Sequence, residues 1–478
     1  MTKHYPLMIA GVKTSAGKHT VTAPYDDSII ATMDTADSAA VEKALQTASE
    51  LFKNKKNWLS VPTRITILQK TAVLMAEQAE LLALEAAREG GKPLIDSRVE
   101  VARAIDGIHN CIDCMRNDSG REISMGINAA SQNRVAFTRK EPIGVVVAVS
   151  AFNHPLNLII HQVGPAIATG CPVIIKPAED TPLSCYRFIE LLREAGLPET
   201  WCQALVTSNK DVASQLVTDS RVGFFSFIGS AAVGWMLRSK LAPGTRCALE
   251  HGGVAPVIIE ADADLDDALP LLAKGGFYHA GQVCVSVQRI FCHQSIARDV
   301  ATRLTKLAKQ QIVGDPTDEK TEIGPLIRLH EVQRVHEWVT KAVEDGAELL
   351  TGGIATNNCY APTVLFNPAD HSIISQKEIF GPVICVYSYD SIDDALQRAN
   401  ALDVAFQAAV FTKNLDQALY VYTQLNASAV MINDHTAFRV DWMPFAGLRH
   451  SGLGVGGIPY TYEDMQIEKM AVIRSKSL

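Results

Sequence analysis

Two residue types able to do covalent chemistry lie 34 positions apart, each beside glycine. Cys284 closes the run Gly281-Gln282-Val283-Cys284, and Glu250 opens Glu250-His251-Gly252-Gly253. A thiol on a glycine-containing turn can act as a nucleophile and carry a covalent intermediate. A carboxylate on a second turn can activate the water that releases that intermediate. The pair suggests a nucleophile and a base on two loops, and a larger scaffold must bring those loops together.

The scaffold is large enough. With 478 residues the chain exceeds one small core, and two or three domains are expected. Apolar residues make up 47% and charged residues 20%, ordinary for a globular protein. Lys and Arg number 44 against 52 Asp and Glu, a net charge of −8 that argues against nucleic acid as a partner and against a basic membrane-binding stripe. Residues 1–30 lack a basic stretch followed by a long apolar run, and no later run of about 20 residues is purely apolar. A cytoplasmic enzyme is expected. The ten cysteines do not make a small disulfide scaffold. Cys171, Cys185, Cys202, Cys247 and Cys385 sit among apolar residues and read as buried thiols. Cys111 and Cys114 form a lone C-x-x-C without a second pair or a nearby His pair, so no metal is expected.

Short strands and turns are expected at the start, then helices over 38–52, 62–88 and from 95 towards 115, with Gly90-Gly91 as a stop. Around 119–140 the pattern turns polar and extended, as in an inserted hairpin arm. From Gly144 strands and helices alternate. Buried-strand runs at 144–149, 171–175 and 223–228 flank helical stretches at 156–168 and 182–195, which predicts a parallel sheet. A second α/β segment runs from Val254 to about Tyr422, with helices at 296–311 and 329–345 and a strand at 383–389. The tail from Tyr460 to Ser477 reads as extended and able to pair with the arm, in this subunit or another.

Ligands of parallel α/β sheets sit at the carboxyl ends of the strands. Lys176-Pro177-Ala178-Glu179 follows one strand there, and its lysine and glutamate can bond the two hydroxyls of a ribose. The carboxylate would repel a 2′-phosphate, so NAD is favoured over NADP. Gly229-Ser230-Ala231-Ala232-Val233-Gly234 follows another strand and opens a helix, where glycines admit close backbone approach and a helix N-terminus attracts pyrophosphate. By itself this run also reads as a glycine-capped helix start. Glu378-Ile379-Phe380-Gly381-Pro382 places a carboxylate and an aromatic ring near a turn.

Seven short motifs in order carry a resemblance over nearly the whole chain: Phe152-Asn153-His154-Pro155, Lys176 to Glu179, Gly229 to Gly234, Glu250 to Gly253, Gly281 to Cys284, Glu378 to Pro382 and Met443-Pro444-Phe445-Ala446-Gly447. Together they resemble the NAD(P)-dependent aldehyde dehydrogenase superfamily. The resemblance implies a Rossmann-type coenzyme domain (1–115 and 140–251), an α/β catalytic domain (252–458) and a β-hairpin oligomerisation arm (116–139 and 459–478), hence a homodimer or homotetramer. It implies that Cys284 attacks an aldehyde carbon, that Asn153 and the Cys284 backbone N–H hold the oxyanion, and that Glu250 activates water against the thioester left by hydride transfer. It assigns Lys176 and Glu179 to the adenine ribose, Gly229, Ser230 and Gly234 to the pyrophosphate, and Glu378 and Phe380 to the nicotinamide ribose. Branches that pass the acyl group to coenzyme A usually lack the base, so Glu250 favours hydrolysis. A coenzyme A-acylating enzyme and a catalytically silent NAD-binding protein are the alternatives. The usual leucine after the base is His251 here, read as a packing histidine, and Ala446 replaces a usual glycine.

The aldehyde itself is less legible. His154, His161, Arg439 and Phe445 are the candidate substrate contacts. A histidine and an arginine facing the cavity would suit a small polar or anionic tail, since an arginine fork matches carboxylate, phosphonate or sulfonate oxygens. Phe-Asn-His-Pro and Phe438-Arg439-Val440-Asp441-Trp442-Met443-Pro444-Phe445 resemble branches acting on lactaldehyde or phosphonoacetaldehyde. Apolar Val283 before the nucleophile speaks against a doubly charged tail. The competing reading for Arg439 is a salt bridge with Asp441 or Asp434, and Arg103 on the helix from 95 could line the entrance but is read as part of a solvated helix face.

Overall fold

The computed structural model describes residues 3–13 and 15–478; Met1 and Thr2, the first two residues of the expected coenzyme segment, and Thr14 lie outside them. Two parallel-dominated sheets organise the chain. The first runs in the order Gly452–Leu453, Arg246–Glu250, Val222–Ile228, Val145–Val149, Val173–Lys176, Cys202–Ala204. All its neighbours are parallel except Gly452–Leu453, which returns from the C-terminal part of the chain and pairs antiparallel with Arg246–Glu250. The second sheet runs Glu348–Thr351, Thr363–Phe366, Val383–Tyr389, Arg289–His293, Pro256–Ile259, Gln407–Phe411, Ala429–Ile432, with only the first pair antiparallel.

Burial on both faces explains the continuous Val/Ile runs in the first sheet. Val146 and Ala148 point into one core with helices Leu94–Asn117 and Asn157–Thr169, while Val145 and Val147 point into another with helix Ser38–Lys53. The period of two along a strand thus splits one run of valines between two cores.

Helices Ser38–Lys53 and Leu94–Asn117 fall where apolar periodicity puts them. The first is capped by Asp37, whose carboxylate accepts the Ala40 N–H at 2.8 Å, a bond typically worth ~1 kcal/mol. The single helix expected over 62–88 is two, Val61–Glu77 and Ala79–Gly90, broken at Gln78 with φ −109° and ψ 18°. No Gly or Pro marks the break, and the apolar period runs through it. The tail expected to be extended from Tyr460 begins with a helix, Ile458–Asp464, whose Pro459 stands at the first turn. Only then does strand Gln466–Arg474 follow. It pairs within this chain, antiparallel to Arg134–Pro142, from Gln466↔Pro142 to Arg474↔Arg134. Of the five cysteines read as buried, Cys247 is half-exposed and the other four are buried.

Candidate active site

The sheet registers align the expected motifs. Val149 pairs with Lys176 on one side and Phe227 on the other, and Ile228 pairs with Glu250. Strands in parallel register end on the same edge. The loops carrying Asn153, Lys176 to Glu179, Gly229-Ser230 and Glu250 therefore emerge side by side.

The nucleophile loop comes from the other sheet, just ahead of strand Arg289–His293. It is approached through three successive left-handed residues, His279, Ala280 and Gly281, with φ of 50°, 53° and 69°. At Gly281 a β-carbon would stand 2.1 Å from the Gly381 carbonyl oxygen, so glycine alone fits. The Gln282 side chain pins the loop: its Oε1 accepts the Ile327 N–H at 3.0 Å and its Nε2 donates to the Pro325 carbonyl at 3.3 Å. Across the gap between sheets, the Asn153 amide Nδ2 donates to the Gln282 carbonyl at 2.9 Å. That bond seats Asn153 beside the loop ending in Cys284.

Cys284 is half-buried in a small apolar cluster with Val283, Val285, Phe406 and Phe445. Burial, then the Glu378 carboxyl, pushes its thiol up to about 12, and the Arg439 cation pulls the other way. Glu250 is held above the usual carboxylate range by burial, opposed by the same Arg439. Its carboxylate lies against Gly456, on the loop whose N–H donates to the Phe445 carbonyl at 2.7 Å.

The residues expected to meet a dinucleotide fit one. Lys176 Nζ and Glu179 Oε1 stand 3.3 Å apart at the strand exit. Ser230 precedes helix Ala231–Arg238 without spending its hydroxyl on a cap, so the helix N–H groups stay available for phosphate. Gly234 lies within that helix and packs on His251. Glu378 is raised to about 8 by burial, and its Oε1 is buried without a hydrogen-bond partner, which a ribose hydroxyl would satisfy. Phe380 stands edge-on to Phe152, with ring centroids 5.8 Å apart. His251 packs as expected: Nδ1 lies 2.9 Å from the Gly229 carbonyl and the ring sits between Phe227 and Trp235.

The candidate substrate contacts divide into two kinds. Arg439 is free of both proposed carboxylates. Its guanidinium lies over the Phe445 ring at 3.5 Å, and its buried Nη1 has no partner. Asp441 instead takes Arg103 (Nη2 at 2.7 Å, Nε at 3.1 Å), His161 Nε2 at 2.7 Å and Asn157 Nδ2 at 3.1 Å. Burial alone would raise its carboxyl, but the bonds from His161 and Arg103 hold it far below the usual range. His161 is therefore occupied in holding the 433–445 segment against helix Asn157–Thr169. His154 Nδ1 lies 2.7 Å from Lys92 Nζ, and Lys92 is also ion-paired with Glu100. Sequence reasoning did not single out Lys92, Glu100 or the anchoring role of Asp441. The sole signal in sequence is a lysine held between Gly90-Gly91 and Pro93, where the chain turns between two helices.

A thiol, a carboxylate and a side-chain amide thus lie on adjoining sheet edges beside a helix N-terminus, the setting of an α/β dehydrogenase. Residues 12–471 match the aldehyde dehydrogenase family, and the chain belongs to it as an NAD(P)-dependent aldehyde dehydrogenase. It is 37% identical over 472 residues to a 3-sulfolactaldehyde dehydrogenase of Priestia aryabhattai, covering 98% of each chain. It is 35% identical over 454 residues to a lactaldehyde dehydrogenase of Methanocaldococcus jannaschii, covering 94% of this chain and 96% of the other. Among solved structures, aldehyde dehydrogenase 21 of Physcomitrella patens, in complex with the reaction product succinate, superposes with a TM-score of 0.95 at 32% identity over 99% of both chains. A glyceraldehyde-3-phosphate dehydrogenase of M. jannaschii, complexed with NADP, does so with a TM-score of 0.92 at 34% identity, covering 97% of this chain and 100% of the other.

Proposed function

We infer that this enzyme oxidises a small aldehyde with a polar or anionic tail to its acid, with water as acyl acceptor and NAD as the preferred coenzyme. The observation that carries the tail is Arg439, whose charge bears on both Cys284 and Glu250 while one guanidinium nitrogen is buried without a partner. A buried, unpaired arginine nitrogen is costly, and a carboxylate, sulfonate or phosphonate oxygen would satisfy it. The names of the relatives, lactaldehyde and 3-sulfolactaldehyde dehydrogenases, point the same way.

In this reading the Cys284 sulfur adds to the aldehyde carbon while Asn153 donates to the developing oxyanion. Such a donor is worth ~2.7–4 kcal/mol in related sites. A nicotinamide dinucleotide, when bound, supplies the hydride acceptor. Lys176 and Glu179 would hold its adenine ribose, Gly229, Ser230 and Gly234 its pyrophosphate, and Glu378 and Phe380 the nicotinamide ribose. The Glu179 carboxylate supports NAD, because a 2′-phosphate would be repelled. Glu250 then takes a proton from the water that attacks the Cys284 thioester. Burial raises its proton affinity, which makes the ionised carboxylate a stronger base than an exposed one.

The coenzyme lobe would comprise 1–115 and 140–251, the catalytic lobe 252–458, and an arm 116–139 with 459–478. Strand Gln466–Arg474 has one ladder edge free and exposes Met470, Val472 and Ile473, which supports a homodimer or homotetramer built on it. All ten cysteines are free, which suits a reducing compartment such as the cytoplasm.

The test is reduced-nicotinamide absorbance with NAD or NADP on propanal, lactaldehyde, glycolaldehyde, succinate semialdehyde and phosphonoacetaldehyde, with and without coenzyme A. Turnover without coenzyme A that disappears in Cys284→Ala supports the hydrolytic reading. Strict dependence on coenzyme A overturns it, and a preference for propanal overturns the polar tail.

A further inference from the structure

Lys92 is 0% exposed, at the turn between helices Ala79–Gly90 and Leu94–Asn117. Its ammonium is shared between Glu100 and His154 Nδ1, the latter at 2.7 Å. Glu100 is itself fixed, because its Oε1 accepts the Leu156 and Asn157 N–H groups, both at 2.9 Å. Burial pulls the Lys92 pKa down, but the Glu100 carboxylate opposes that and pairs with it as an ammonium, which has donors only, so the nitrogen it meets is a bare lone pair. The imidazole proton is then on Nε2. That atom makes no hydrogen bond to the described residues and is not among the sealed-in, unpartnered ones. Burial, then the Lys92, Arg103 and Arg439 charges around the ring, oppose a second proton.

We propose that Lys92 is a positioning residue that locks His154 as a neutral Nε2–H donor, and that this donor selects aldehydes bearing an oxygen on the carbon next to the carbonyl. The proposal deepens the reading of a small polar aldehyde and rests on it. His154 follows the oxyanion residue Asn153 directly, so its donor lies one residue from the position assigned to the carbonyl oxygen. Arg439, whose charge reaches the same ring, would be left for another oxygen of the substrate. A donor with one fixed tautomer distinguishes an oxygen from a methylene in a way an aromatic ring at that position does not.

Lactaldehyde and propanal differ only by the 2-hydroxyl, so the ratio of their kcat/KM values reads the donor. In the wild type we expect a ratio of roughly ten or more in favour of lactaldehyde, the worth of about one neutral hydrogen bond. His154→Phe should collapse the ratio towards one. His154→Gln, whose amide nitrogen reaches the Nε2 position, should restore most of it. Lys92→Met should lower the ratio and free the tautomer. Because that variant loses a buried ion-pair partner and can fail to fold, the tautomer is also read in the wild type. A long-range proton–nitrogen spectrum of the histidine-labelled enzyme, assigned with His154→Phe, should show the Nε2–H form. A packing role alone would leave that signature and the Gln rescue unexplained. An Nδ1–H or doubly protonated ring overturns the proposal, as does a ratio unchanged in His154→Phe. Failure of the wild type to oxidise any polar or anionic aldehyde overturns the functional reading beneath it; activity on anionic aldehydes with no preference for a 2-oxygen overturns the proposal alone.

Discussion

The Glu250 carboxylate lies so close to Gly456 that a β-carbon built on the glycine would stand 2.1 Å from Glu250 Oε1. Gly456 is not among the glycines with positive φ, so its backbone tolerates a side chain. The collision is with the Glu250 carboxylate, and only the Phe445 carbonyl oxygen stands behind it, at 3.0 Å. Gly456→Ala should therefore displace the carboxylate while coenzyme affinity and melting temperature change little. A misplacement of about 1 Å typically costs about a hundredfold in rate. Steady-state kcat with nicotinamide fluorescence titration in parallel checks this. An unaltered kcat would mean that Glu250 works from another rotamer.

Glu250→Gln should separate the two halves of the reaction. Reduced nicotinamide should appear in a burst equal to the enzyme concentration, followed by a steady rate lowered by about 10²–10⁴. Mass spectrometry of the quenched enzyme should find the acyl group on Cys284. A steady rate equal to the wild type's would remove Glu250 from acyl release.

The pH profile should carry the imprint of Arg439. Burial raises the proton affinity of Glu250, and the Arg439 cation opposes that rise. The base is competent only when ionised, so acyl release should fall as pH drops through its pKa. Arg439→Met removes the opposing charge, and the acidic limb of kcat should move to higher pH. The same substitution should lower the kcat/KM ratio of an anionic over a neutral aldehyde by about tenfold or more. A limb that stays put would show that the guanidinium does not act on Glu250. An unchanged ratio would show that it does not bind the tail.

Strand Gln466–Arg474 leaves Met470 55% and Val472 49% exposed on an edge that no other described strand pairs with. Two charges there should oppose pairing with another copy. Met470→Lys with Val472→Lys should lower the mass measured by sedimentation, leaving each protomer folded by circular dichroism. A mass that does not change would move the interface elsewhere.

The sequence made the scaffold legible because buried strands advertise themselves. Val145 to Val149 and Val383 to Tyr389 are apolar runs of strand length, and their bounds fall within a residue of expectation. The break at Gln78 carries no such mark, since neither a helix breaker nor a change of period accompanies it. Helix Ile458–Asp464 was hidden by its polar residues, although Gly457 and Pro459 frame its start. At the site, the catalytic motifs were visible as local strings, whereas ion pairing was not. Arg103 and Asp441 stand 338 positions apart, and only the fold decides that Asp441 takes Arg103 and leaves Arg439 open. The Lys92 contact to His154 escaped for the same reason, because burial of a charge is set by tertiary packing.

The return of the chain into the first sheet bears on how the protein is made. Gly452–Leu453 completes that sheet's edge, and Ile458, Tyr462 and Met465 fill the core beneath helices Leu94–Asn117 and Asn157–Thr169. Those side chains leave the ribosome after the rest of that core. The second sheet and its core, by contrast, close within residues 256–432. The half of the protein synthesised first is thus the half that finishes folding last, and a nascent chain stalled before Gly452 would hold a finished second lobe beside an unsealed first one. Removing the chain from Gly452 onward should accordingly unravel the amino-terminal lobe, far away in sequence, before it touches the lobe that adjoins the cut.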